Sequence, residues 1–376
     1  MIKPNQFIKI LKKNKINFFA GVPDSLFASL CNYFQDYEKK NHILSTNEGS
    51  AVGLAIGYHL ATGKVPLVYL QNSGLGNVIN PAVSLSDKKI FNIPIFFLIG
   101  WRGELNKNNI QIKDEPQHKT QGQITKALLK ILNIKFEVLN SKSNYVNIIN
   151  RLSKYSKKNN KPVAILIRKN SFAGKKNIQV KKKNNFLTRE IALQTVFDCI
   201  PKNIPKVSTT GMLSRELYEM NKKIKKEKNT FMCIGGMGHA ISITSGLAMV
   251  KNKRKIICLD GDGSSLMHFG AMAVSAKMKN IIHIVFNNHA HDSVGGQTPP
   301  SENIEFYKIS KQFGYSHSYK VNSKKEIVKK IKVAIKNKNN TFIEILCIKG
   351  HRDNLLRPSK EAAYYKKIFM KFIKEN

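Results

Sequence analysis

The chain has 376 residues, 42% of them hydrophobic; that length suits two domains of ordinary size, and no apolar run approaches the ~20 residues a membrane-spanning helix needs. Cys31, Cys199, Cys233, Cys258 and Cys347 are scattered without a CxxC pair, which excludes a disulfide scaffold and predicts free thiols in a reducing compartment, hence a soluble, cytoplasmic protein. The formal net charge of +39 is carried by lysines dispersed beside Asn and Ile rather than clustered with aromatics, so it reads as solvated surface; a basic nucleic-acid-binding protein is the alternative from another class.

Met1–Ala20 has interrupted apolar residues and no small-residue cleavage site, and it reads as a first helix leading into a strand at Asn17–Ala20. The Gly21–Ser25 loop caps a helix over Leu26–Tyr37. Asp24 in that loop is an obvious N-cap, and it also stands at a strand-to-helix crossing where active sites form. A strand at His42–Ser45 precedes Thr46–Ser50 and a small-residue helix, Ala51–Thr62, in which Gly53, Ala55, Gly57 and Ala61 permit close packing. Glu48 is there either as a surface complement to the helix dipole or as a buried functional carboxylate. Val65–Leu70 is a strand, and the glycine-rich loop Gln71–Asn77, with Ser73, supplies amides and hydroxyls. The strand Ile93–Ile99 ends in Gly100–Glu104, and a polar loop carries Lys113–His118. His118 in such a loop is a surface residue or a functional one. A segment at Ala127–Leu132, a helix around Tyr145–Lys157 and a strand Val163–Arg168 complete a first α/β domain, 1–174. Residues 175–187 are lysine-rich without apolar periodicity and read as a linker to a second domain, 188–376.

That domain opens with a helix at Arg189–Cys199 and strands at Lys206–Ser208 and Thr230–Ile234. Gly235–Ala240 is a glycine loop before another small-residue helix, Ile241–Val250. The most informative stretch follows. Lys255–Leu259 is a buried strand; Gly261 and Gly263 in Asp260–Ser264 allow a tight turn and close approach of backbone to a ligand. Ser265–Lys279 has helical spacing, and Ile281–Phe286 is a second strand ending in Asn287-Asn288. A βαβ unit of this length makes the strands parallel and sets Asp262 and Asn288 beyond their carboxyl ends, where open α/β sheets bind ligands. A carboxylate, an amide oxygen and the Ala290 carbonyl form a partial shell for a hard cation such as Mg²⁺, which completes its shell with ligand phosphates. The stretch reads as a site for a metal-bound diphosphate; the plainer reading is a turn with Asp262 as a helix cap. Tyr319–Val321, Glu326–Asn337 and Thr341–Ile348 are a late strand, a helix and the last core strand, before a tail at Gly350–Pro358.

GDGS, a helix and a strand ending in NN resemble the signature of thiamine diphosphate (ThDP)-dependent 2-oxo acid decarboxylases. GVPDSL at Gly21–Leu26, NEGSAVGLAIGYHLATGK at Asn47–Lys64, QNSGLGN at Gln71–Asn77 and GWRGE at Gly100–Glu104 carry the resemblance further. So do KDEPQH at Lys113–His118, GGMGHA at Gly235–Ala240, HDSVGGQ at His291–Gln297 and Arg352 with Arg357-Pro358 in the tail. The resemblance implies two ThDP-binding-fold domains, each a mostly parallel sheet flanked by helices: a pyrimidine-binding domain, then a diphosphate-binding domain, with no middle domain. It implies Glu48 as partner of the pyrimidine N1′, supplied across a homodimer (or larger) interface, and Asp262, Asn288 and the Ala290 carbonyl as Mg²⁺ ligands. Ser264, with the Gly261 and Gly263 turn, would meet the diphosphate, and the Gly235-Gly236 backbone the 4′-amino group. Met237 would be the wedge that bends the cofactor; its plain reading is core filling. Asp24 and His118, then His291, are the proton-transfer candidates. Ser73, Arg102, Lys113, Arg352 and Arg357 are candidates for a substrate anion, an Arg fork suiting a phosphonate or sulfonate. The implied reaction is non-oxidative decarboxylation of 3-phosphonopyruvate, with 3-sulfopyruvate as the alternative. His289 departs from the small residue of the resembled pattern.

Overall fold

A computed structural model describes residues 1–174, 185–223 and 227–375. The chain divides into two compact units, Met1–Ile178 and Gln179–Asn376. The linker expected over 175–187 falls, at 175–184, outside the described residues.

The first unit is built on six strands: β1 (Phe19–Gly21), β2 (His42–Leu44), β3 (Leu67–Gln71), β4 (Phe96–Gly100), β5 (Lys135–Leu139) and β6 (Val163–Ile167). They pair in the order β2-β1-β3-β4-β6-β5, every pair parallel. Parallel strands covered on both faces read as continuous apolar runs, because alternate side chains enter two different cores. Leu67, Tyr69, Phe96, Leu98, Val163 and Ile165 fill one core, and Val68, Leu70, Phe97, Ile99, Ala164 and Leu166 fill the other. The chain leaves β1 for β2 on one side and returns to β3 on the other, so the order reverses at β1/β3. Crevices at such switch points, beyond the carboxyl ends of the strands, are where open sheets bind ligands.

The second unit repeats the plan with β7 (Leu187–Thr188), β8 (Lys206–Ser208), β9 (Thr230–Met232), β10 (Ile256–Gly261), β11 (Ile281–Asn287), β12 (His317–Val321) and β13 (Thr341–Ile348). Its sheet runs β12-β13-β11-β10-β8-β9, again parallel, with β7 pairing the end of β13. The order reverses at β8/β10. That brings Thr209 after β8, Asp262 after β10 and Asn288 after β11 to the carboxyl end of three adjacent strands.

Three expectations are corrected. The Gln71–Asn77 loop is wound into a 3₁₀ turn, Asn72–Gly74, and a helix, Leu75–Pro81. The single helix expected over Ser265–Lys279 is two short ones, Asp262–Met267 and Ala271–Ser275. His268, at φ −132°, has left the helical region between them, and Gly270 lowers the helical propensity there. Polar-rich elements were missed: β5, with Lys135 and Glu137, and the helices Met212–Lys223, Phe306–Gln312 and Ala362–Glu375.

Candidate active site

In the first unit, four strand ends supply the polar groups. Beyond β1, Asp24 Oδ1 accepts from the Leu26 amide at 2.6 Å and caps the turn Ser25–Phe27, so the N-cap reading holds. The carboxylate is also fully buried, and a Cβ on Gly100 would fall 2.5 Å from Oδ1. Glycine at the end of β4 is what admits Asp24 to this position. Arg102, two residues on, donates to Ser25 Oγ at 3.1 Å and grips Asp114 with two further nitrogens at 2.5 and 2.8 Å. Burial acts to raise the Asp114 carboxyl, but the Arg102 hydrogen bonds prevail and hold it below its ordinary value. His118 is buried, and its carbonyl lies 2.0 Å from where a Cβ on Gly103 would stand. Burial, then the Arg102 charge, pushes the imidazole down to about 4, so it is neutral near pH 7. Its Nδ1 is buried without a hydrogen bond.

Glu48 opens the helix Glu48–Thr62 behind Asn47, whose side chain accepts from the Ser50 amide at 2.8 Å. The Asn47 cap leaves Glu48 free of capping work, and the side chain turns inward, 5% exposed. Asn77 donates to Oε2 at 2.7 Å, and a Cβ on Gly74 would stand 2.2 Å from Oε1. Burial raises the carboxyl despite Asn77. The surface reading of Glu48 is excluded. Asn72 ties the ends of β3 and β4 together, donating to the Arg102 carbonyl at 2.9 Å and to Thr125 Oγ1 at 2.9 Å. Ser73 is exposed and accepts from Gln71 at 2.6 Å; Lys113 is exposed.

In the second unit, Asp262 is 3% exposed and accepts from Ser301 Oγ at 3.0 Å. Burial pushes its carboxyl up to about 7, which is the expected state of a buried carboxylate before a cation joins it. Asn288 donates Nδ2 to Asp292 Oδ2 at 2.7 Å. Because Asp292 only accepts, the Asn288 amide oxygen is the atom turned away from it. Arg189 holds Asp292 in place at 2.7 Å and is itself forked onto buried Glu216 at 2.8 and 2.9 Å. His289, between Asn288 and Ala290, adopts φ +49°, a left-handed conformation that His tolerates better than β-branched residues do. Ser264 Oγ joins three segments, meeting Thr209 Oγ1 at 2.7 Å and the Gly238 amide at 3.1 Å. Open space surrounds the Cβ position of Gly261, whereas a Cβ on Gly263 would lie 2.5 Å from the His291 ring. His291 packs on the turn, and burial pushes it down to about 4.

Gly236 and Gly238, at φ +66° and +87°, turn the backbone on either side of Met237. Met237 is half-buried and belongs to none of the core clusters among the described residues, so plain core filling does not account for it. Arg352 is taken up by Glu190 and Glu219, at 2.8 and 2.6 Å, and Arg357 is exposed. Asn77, Asp114, Thr209, Asp292 and Ser301 escaped sequence reasoning as individual residues. Only Thr209, just past a strand end like Asp262, carried a positional signal.

Comparison with known proteins agrees with this geometry. "Thiamine pyrophosphate enzyme, N-terminal TPP binding domain" matches residues 4–129, and "Thiamine pyrophosphate enzyme, C-terminal TPP binding domain" matches residues 209–345. The chain is 28% identical to a phosphonopyruvate decarboxylase of Streptomyces viridochromogenes, over 94% of this chain and 90% of that one. It is 26% identical to a sulfopyruvate decarboxylase of Methanosarcina acetivorans, over 92% and 91%. The beta subunit of sulfopyruvate decarboxylase of Methanococcus maripaludis is 30% identical over 50% of this chain and 99% of that subunit.

Proposed function

The chain belongs to the thiamine pyrophosphate enzymes and is a ThDP-dependent decarboxylase; from that premise we propose that it converts 3-phosphonopyruvate to phosphonoacetaldehyde and CO₂ with the help of Mg²⁺. The observation that supports this choice of substrate is the 28% identity to a phosphonopyruvate decarboxylase over 94% of this chain, against 26% over 92% to the sulfopyruvate decarboxylase. When bound, the cofactor supplies the electron sink that accepts the bonding pair as CO₂ departs.

The residues present fit that cofactor. The buried Asp262 carboxylate, the outward Asn288 amide oxygen and the Ala290 carbonyl are oxygen donors of the kind Mg²⁺ takes. The open space at Gly261 would let a diphosphate approach the backbone there, with Gly263 in the same turn, and Ser264 offers it a hydroxyl. The Gly235-Gly236 backbone would accept from the pyrimidine amine, with Met237 as its support. Glu48, its carboxyl raised by burial, would share a proton between its carboxyl and the pyrimidine N1′. Asp24 and neutral His118 would hold and return the proton that replaces CO₂ on the product. His291, packed on Gly263, would shield the site from water rather than exchange protons at its sealed Nε2. Arg102 and Lys113 would meet the substrate phosphonate, with Ser73, Arg352 and Arg357 as further contacts; Arg352 would do so while shared with its two carboxylates.

We place Glu48 and the Asp262 turn in one site built from two copies of the chain. Each unit supports this with an uncovered apolar helix face: Leu54 and Leu60 beside Gly53 and Gly57, and Met249 and Val250 beside Gly246, where no atom lies within 4 Å of an added Cβ. The unpaired cysteines fit a cytoplasmic location, and the product fits a route to 2-aminoethylphosphonate. The second reading, decarboxylation of 3-sulfopyruvate, is favoured by the Methanosarcina relative. CO₂ release with ThDP and Mg²⁺, from phosphonopyruvate, sulfopyruvate and pyruvate in parallel, tests both. Preference for phosphonopyruvate supports the proposal, preference for sulfopyruvate replaces it, and release from neither removes both.

A further inference from the structure

On the face of the second sheet, one layer below the Asp262 turn, Cys258 and Asp260 of β10 and His283 of β11 bring one donor atom each within 4.8 Å of the others, all fully buried. Cys258 pairs in register with His283, and Asp260 follows two residues on, so all three side chains enter the same space. His283 Nε2 and Asp260 Oδ2 lie 3.6 Å apart, and neither has a hydrogen bond. That separation is too long for a hydrogen bond. It is near the roughly 3.3–3.5 Å edge of a tetrahedron of N and O ligands around zinc.

The neighbouring hydrogen bonds say which nitrogen is bare. Ser275 spends its hydroxyl proton on the Met272 carbonyl at 3.0 Å. Tyr315 therefore donates to Ser275 at 2.7 Å, and its oxygen accepts from His283 Nδ1 at 3.4 Å. In the neutral ring, Nε2 then carries a lone pair pointed at a carboxylate oxygen. Two lone pairs facing each other in a dry interior are costly unless a cation lies between them. A ligating histidine that donates its other N–H to an oxygen is the arrangement metal sites use to orient the ring.

We propose that Cys258, Asp260 and His283 supply three of the four ligands of a transition-metal ion of the zinc class. The S, N, O donor set selects such an ion over Mg²⁺, which takes oxygen donors. The ion pins β10 to β11 beneath the loops that carry Asp262 and Asn288, and it is separate from the oxygen site proposed for Mg²⁺.

The test uses the full chain, stripped of metal, refolded with Co²⁺ and read by absorption. Bound Co²⁺ shows a thiolate-to-cobalt charge-transfer band and intense tetrahedral d–d bands, saturating at about one equivalent per chain. An oxygen-ligated Co²⁺ at Asp262 and Asn288 shows neither. Zn²⁺ displaces the bands and Mg²⁺ does not; Cys258→Ser abolishes the charge-transfer band and Cys233→Ser retains it. Absence of the band in folded wild-type protein, as a buried imidazolium–carboxylate pair would give, overturns the site. So does a band that survives Cys258→Ser. The wild-type spectrum decides even if a variant fails to fold.

Discussion

Burial sets the Glu48 carboxyl apart from an ordinary surface carboxylate. The side chain has an amide partner and a glycine floor, and burial raises its carboxyl above the ordinary value. Glu48→Gln keeps the shape and removes the exchangeable proton. It should leave ThDP binding within a few-fold and lower kcat by about 10²–10⁴, which paired calorimetric titration and CO₂-release assays check. Full activity would refute the role given to Glu48. Asp262→Ala removes the cation donor proposed above; it should abolish Mg²⁺-dependent ThDP binding while the chain stays folded, checked by titrating ThDP with and without Mg²⁺. Gly74→Ala tests the floor itself. Its Cβ would lie 2.2 Å from Glu48 Oε1, so the carboxyl must move, with a stability loss of about 1–3 kcal/mol and a fall in kcat larger than the change in KM.

At the scale of elements, Asp24, Asn72, Thr209, Asp262 and Asn288 all follow the carboxyl end of a strand at or beside a switch point, and strand order decides this. β3 and β4 pair in register from Leu67 with Phe96 to Gln71 with Gly100, so Asn72 and Arg102 emerge together and Asn72 can clamp both loops. Strand identity was legible because two-sided burial writes a continuous apolar run, as at Ile93–Ile99 and Thr341–Ile348. β5 was illegible because it is the edge strand, where Lys135 and Glu137 can face water. The break at His268–Gly270 was also hidden, since Leu266, Phe269, Ala273 and Ala276 keep helical spacing through it. Ile165, in the middle of β6 and fully buried, should cost about 2–5 kcal/mol when truncated to Ala, measured by urea denaturation.

For the whole molecule, acid should destabilise through histidines kept neutral by burial. Burial pushes His42 down to about 4, and burial with the Arg102 charge does the same to His118. Between about pH 6.5 and 4 these two histidines therefore bind more protons in the unfolded chain than in the folded one, and the stability they contribute falls as pH falls through that window, while the raised Asp262 carboxyl acts in the opposite sense. Urea midpoints at several pH values check this; the His118→Asn variant should show a shallower fall. A homodimer is expected at twice the 42.5 kDa chain mass. Gly57→Glu, which sets a charge on the uncovered face of the Glu48–Thr62 helix, should yield a folded, inactive monomer by light scattering. A dimer that persists with full activity would remove that face from the interface.

The sequence by itself determined the two-domain α/β plan and the cofactor class. Apolar runs, glycine turns and the spacing of Asp262 from Asn288 are local properties, and local chemistry dictates them. It also placed Asp24 and Glu48 just past strand ends and His118 in the long loop after a strand. Only the tertiary structure decided whether Glu48 is buried, which carboxylates occupy Arg102 and Arg352, and that Cys258, Asp260 and His283 share one pocket. Those facts depend on residues far apart in the chain, through strand register, a glycine's missing Cβ and a distant partner, and no window of sequence contains them.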